Sequence, residues 1–107
     1  VLTIVTGAPG SGKTTYVQRH AKPGDIIIDF DLMAEAFGSP VGHGHNASIT
    51  DVTIAAWHAA VNQAVHCHRL GSRVWIVDMR PPKTRRQMYH IAGANILEIA
   101  SGTRQAT

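Results

Sequence analysis

Apolar residues fall in short, dense runs, and each run ends at glycine, proline or aspartate. Val1 to Thr6 (VLTIVT) is β-branched and apolar apart from its threonines and leads directly into Gly7-Ala8-Pro9-Gly10-Ser11-Gly12, which predicts a strand and then a glycine turn. Helix formers follow from Lys13 (KTTYVQRHA), and Pro23-Gly24 stops them. The run DIIIDFD, from Asp25 to Asp31, predicts a second strand apolar enough to be covered on both faces. A short helix over Leu32 to Phe37 closes at Gly38. Gly38 to Thr50 holds four glycine or proline breakers in thirteen residues and reads as a mobile loop, long enough to serve as a lid or substrate loop. From Asp51 to Leu70, Ile54, Trp57, Val61 and Val65 recur at spacings of three and four, the pattern of an amphipathic helix; Ser48 and Asp51 resemble a capping box before it, and Gly71 a C-terminal cap. A third strand runs from Arg73 to Asp78, and Pro81-Pro82 break the chain. A basic helix then covers Lys83 to Ala92, with Met88 and Ile91 on one face, and Ala94 to Ala100 forms a fourth strand before a frayed tail at 101–107.

Strands that alternate with helices and are apolar nearly throughout predict an α/β fold: a three-layer αβα sandwich around a mostly parallel four-stranded sheet. Right-handed crossovers would bring the C-terminal ends of the strands to one edge. The glycine turn, Asp29 with Asp31, and Asp78 then converge where open α/β sheets bind ligands.

Composition narrows the setting. The 107 residues form one domain over 1–107, and Leu, Ile, Val and Phe together make up 25 of them, enough to argue against disorder. A single cysteine, Cys67, allows no internal disulfide and suits a reducing, cytoplasmic setting. No apolar run approaches a membrane span, and no signal-peptide pattern opens the chain. A net charge of +3 permits anionic partners, nucleic acid included, without requiring them.

Gly7 to Thr14 (GAPGSGKT) matches the phosphate-binding pattern G-x-x-x-x-G-K-[ST] in full, between a predicted strand and a predicted helix. Glycines at 7, 10 and 12 let the backbone curl so that the N–H groups of Gly7, Ala8, Pro9's neighbours, Gly10, Ser11, Gly12, Lys13, Thr14 and Thr15 can surround phosphate oxygens, and the helix start adds its positive dipole end. Lys13 is expected on the β- and γ-phosphates and Thr14 on Mg²⁺, which makes this a site for a nucleoside triphosphate. No guanine-recognition signature accompanies it, so the nucleotide is expected to be ATP.

Asp78 ends the strand VWIVD, a position from which its carboxylate can serve Mg²⁺ directly or through water; the alternative is a turn cap. Asp29 and Asp31, two apart on a strand, would share a face, with Asp29 near the metal and Asp31 as general base for an acceptor hydroxyl; alternatively Asp31 caps the helix at Leu32. Arg80, Lys83, Arg85 and Arg86 cluster after the third strand. Arg85 or Arg86 could stabilise charge on a transferred phosphoryl group, the cluster could follow a nucleic-acid backbone, or it could be a solvated basic face. Of the seven histidines, His66 and His68 point apart on a helix and cannot share an ion, while His43 and His45 sit in the loop, open to a metal or substrate contact. Trp57 and Trp75 read as core.

With the P-loop, the DFD segment and VD-x-x-P-P-x-x-R-R in place, the chain resembles P-loop kinases, in particular the small AAA-type ATP-binding proteins of actinobacterial phages and the kinase domain of bacteriophage polynucleotide kinase. The resemblance spans roughly residues 1 to 100. It implies that Asp31 activates a 5′-hydroxyl and that Asp78, with Arg85 and Arg86, follows the third strand as in that kinase; a phage origin would also be in keeping. Two departures stand out. Ala34 occupies the place where that family carries an arginine, and beyond Ala100 the chain has Arg104 alone where the family has an arginine-bearing lid helix. The expectation is therefore an ATP·Mg²⁺ kinase acting on a nucleic-acid 5′ end, a nucleoside or a nucleotide, possessing its lid cations in further polypeptide or a partner. An ATPase and a nucleotide-binding module that gates a partner interaction are the alternatives.

Overall fold

In a computed structural model, which describes residues 1–41 and 44–100, four strands and four helices follow one another as β1 (Leu2–Thr6), α1 (Lys13–His20), β2 (Ile26–Asp29), α2 (Phe30–Ala36), α3 (Ala47–Arg69), β3 (Val74–Val77), α4 (Lys83–Ile91) and β4 (Asn95–Glu98). His43 and the tail at 101–107, for which a loop contact and fraying were expected, lie outside the described residues. The sheet is parallel throughout, in the order β2-β3-β1-β4. That is the α/β architecture expected from the alternating pattern.

Alternation along the central strands divides the core in two, because successive side chains of a strand point to opposite faces. Leu2 and Ile4 of β1 with Val74 and Ile76 of β3 face α3 and α4, where Trp57, Val61, Val65 and Tyr89 close over them. Val5, Trp75 and Val77 face the other way, against Val17 of α1. Since α1 connects β1 to β2 over one face and the later helices return over the other, the chain's connections diverge between β1 and β3. This is the switch point at which α/β sheets open a crevice at their strand ends.

Several boundaries differ from expectation for local reasons. Helix α2 begins at Phe30 because Asp29 is its N-cap, its Oδ1 accepting from the N–H groups of Asp31 and Leu32; Asp31 therefore belongs to the first helical turn and neither lies on the strand nor caps the helix. Helix α3 begins at Ala47, four residues early, because the Asn46 side chain accepts from the Ile49 N–H; the expected Ser48–Asp51 box is not the cap, and the preceding loop shrinks accordingly. Ile54 is 44% exposed, and Thr53 instead fills the buried place on that stripe, its hydroxyl donating to the Ile49 carbonyl. On α4 the inward residue is Tyr89, while Ile91 is exposed.

Candidate functional site

The turn after β1 is already curled for phosphate. Gly7, Gly10 and Gly12 all have positive φ, and a Cβ at Gly7 would collide with the Ile99 carbonyl oxygen and lie 2.8 Å from Ser11 Oγ, so no larger residue fits there. The Gly7 N–H donates to the Met79 carbonyl at 3.2 Å, which ties the turn to the end of β3. Helix α1 opens at Lys13 with no side chain on its first amides, and no acidic residue lies in its first turn; its N-terminal N–H groups and dipole are left to an anion. Ser11 Oγ is buried without a hydrogen-bond partner within the turn. These features fit the residues of the turn to a bound polyphosphate.

Around the turn lies a cleft of about 820 Å³ at the C-terminal edge of the sheet. Lys13, Thr14, Asp29, Asp31, Asp78 and Arg85 all line it, so residues far apart in the chain converge as expected; Arg86 is exposed on α4 and is not among the lining residues. Lys13 Nζ donates to the Ala8 carbonyl at 2.8 Å. Partial burial holds the Lys13 pKa below its usual value, a shift opposed by the charges of Asp31 and Asp29.

Thr14 Oγ1 donates to Asp29 Oδ2 at 2.6 Å, and Asp29 is 3% exposed. The pair joins the start of α1 to the end of β2 and presents a hydroxyl and a carboxylate, hard oxygen donors of the kind Mg²⁺ takes. Asp78 is placed differently. Its Oδ2 accepts from Arg85 Nε at 2.6 Å and from the Tyr89 hydroxyl at 2.8 Å, and its Oδ1 accepts from an Arg85 Nη at 3.0 Å. The Asp78 hydrogen bonds raise the Arg85 pKa, and burial foremost, then the Asp78 charge, pushes the Tyr89 phenol far above the tyrosine range. Arg85 also lies 4.8 Å from the Trp57 ring centroid, so its cation is held between a carboxylate and an aromatic ring. Tyr89 was missed in the sequence, although its spacing of four from Arg85 puts both on one face of a helix.

Arg80, from the basic cluster after the third strand, also lines the cleft, while the rest of the wall was not foreseen: Phe30, Ile54, Trp57 and Met79 give it an apolar side, and His58 joins them. At the cleft, Asp31 Oδ1 meets His45 Nε2 at 2.9 Å. A second cleft, of about 580 Å³, lies on the other side of the turn between α1 and the end of β4, where Tyr16, Arg19, His20 and Ile99 contribute. Among the described residues no group of three or more His, Cys, Asp or Glu could hold a metal, and no helix is long and apolar enough to cross a membrane.

An AAA-domain family model matches residues 2–99. The chain belongs to that family of P-loop nucleotide-binding domains, in keeping with the curled turn, the parallel sheet and the cleft at its edge. No curated protein matches it.

Proposed function

We propose that the protein is a small kinase that binds ATP with Mg²⁺ and moves the γ-phosphate to a hydroxyl of a nucleoside, a nucleotide or a nucleic-acid 5′ end. The observation that carries this reading is the composition of one cleft: phosphate-directed groups (the turn amides and Lys13) and the Thr14–Asp29 pair at one side, an exposed carboxylate at Asp31, and an apolar wall of Phe30, Ile54, Trp57 and Met79 beside it. A hydrolase acting on water alone has no use for that wall, whereas a flat organic acceptor can rest on it.

The residues divide the work. The turn residues, Ser11 among them, and Thr15 in the first turn of α1 hold the phosphate chain, and Lys13 neutralises its outer oxygens. Thr14 and Asp29 would hold Mg²⁺, with Asp78 reaching it through water because its own oxygens are engaged by Arg85 and Tyr89. When bound, the ion supplies charge neutralisation on the β- and γ-oxygens. Asp31 takes the proton from the acceptor hydroxyl as that oxygen attacks the γ-phosphorus and the bond to the β-phosphate oxygen breaks. Arg85, at the cleft face of its ion pair, and Arg80 oppose the negative charge on the moving group. The test is incubation with γ-labelled ATP, Mg²⁺ and a panel of 5′-hydroxyl oligonucleotides and nucleosides. Label should appear on an acceptor and vanish in Lys13→Ala, and Asp31→Asn should remove transfer while leaving ATP affinity nearly intact. Free phosphate alone would identify an ATPase instead, and binding without turnover a nucleotide-binding module.

A further inference from the structure

Asp31 is poorly suited, by itself, to hold a hydroxyl in line for attack. Its side chain is 72% exposed at the first turn of α2, free to sample rotamers in water, and a base in several orientations spends little time in the productive one. His45 and Ser39 change that. His45, whose side chain is only 13% exposed, places Nε2 at 2.9 Å from Asp31 Oδ1, and its Nδ1 meets the hydroxyl of Ser39, itself 5% exposed. The Phe30 ring lies 6.2 Å from the imidazole, centroid to centroid, as a further wall.

We propose that His45 is a positioning residue for Asp31, with Ser39 as its anchor. The inference rests on the reading of Asp31 as the base. A carboxylate accepts, so Nε2 must carry the proton, which leaves Nδ1 to accept from the Ser39 hydroxyl. Ser39 is fixed in turn, its N–H donating to the Ala34 carbonyl at 3.0 Å. One carboxylate oxygen is thereby tied to a buried scaffold and the other is left for the acceptor hydroxyl. His45 and Ser39 thus act on the chemistry through Asp31.

Steady-state kinetics and imidazole ¹⁵N spectra of the whole chain test this. His45→Ala should lower kcat by about tenfold with the KM for ATP and the melting temperature nearly unchanged. His45→Gln, which can return an amide N–H near the Nε2 position, should recover most of the loss. The spectra should show His45 as the Nε2–H tautomer, with Asp31→Ala shifting its nitrogens. Parallel losses of kcat, ATP affinity and stability in His45→Ala, no recovery in His45→Gln, or an Nδ1–H tautomer would each overturn the inference while leaving Asp31 as base. Transfer that survives Asp31→Asn would overturn both. If the wild-type protein labels no acceptor, the kinase reading fails by itself, and the spectra decide whether His45 holds Asp31.

Discussion

Asp29 and Asp78 are alike in sequence, each following an apolar strand, and both are almost fully buried at the same edge of the sheet. Their partners are not alike. Asp29 is held by neutral donors, two backbone N–H groups and the Thr14 hydroxyl, with no ion pair among the described residues and only the longer-range field of Lys13 opposing its charge. Asp78 is neutralised by a two-point contact with Arg85 and further engaged by Tyr89. A buried carboxylate without a cation is a place that favours one, while a carboxylate already paired serves chiefly to fix the groups around it. Under the proposed reading, this contrast would put cation binding at the β2 end and leave the β3 end to hold its neighbours in place.

The largest effect should come from breaking the β3 pair. Arg85→Leu leaves Asp78 buried and uncompensated and should cost about 3–5 kcal/mol, read by urea denaturation. Asp29→Asn keeps an acceptor for the α2 cap but loses the charge. It should weaken Mg²⁺-dependent ATP binding by about one to two orders of magnitude at small cost in stability, as titration calorimetry with and without Mg²⁺ would show. If Asp78→Asn weakened Mg²⁺-dependent binding as strongly while leaving stability intact, the contrast between the two aspartates would be wrong.

Tyr89→Phe removes one hydrogen bond to Asp78 and should cost about 1–2 kcal/mol. It should also change the alkaline limb. The folded phenol has its pKa raised above the unfolded value near 10, so the stability tied to its protonated form is complete below that pH and is lost as pH rises towards the folded value. The wild-type protein should lose stability above pH 10 more steeply than Tyr89→Phe in matched denaturation curves. The smallest effect belongs to Asn46→Ala, about 1 kcal/mol from the α3 cap, with no change in the Asp29 or Asp78 contacts.

The P-loop was legible because its chemistry is local: contiguous glycines, a lysine and a threonine between a strand and a helix bring their own geometry with them. Strand order, by contrast, left no trace in the pattern, although the convergence of Asp29, Asp31 and Asp78 followed from parallel strands alone. Trp57 and Val61 were readable as core from helical spacing, yet Ile54 on the same stripe lines the cleft and is 44% exposed, while its neighbour Thr53 takes the buried place. Tyr89 was obscured by the charges around it on α4.

From the amino acids by themselves came the α/β class, the phosphate turn and the set of acidic residues at its rim, since each depends on neighbours within a few positions. Tertiary structure alone decided which aspartate would be neutralised by an arginine. Asp78 meets Arg85 and Tyr89 only because α4 folds back over β3, and Asp31 meets His45 and Ser39 only because the loop before α3 returns to α2. A side chain's partners, and therefore its charge and freedom, are set by contacts between segments, which no local pattern encodes.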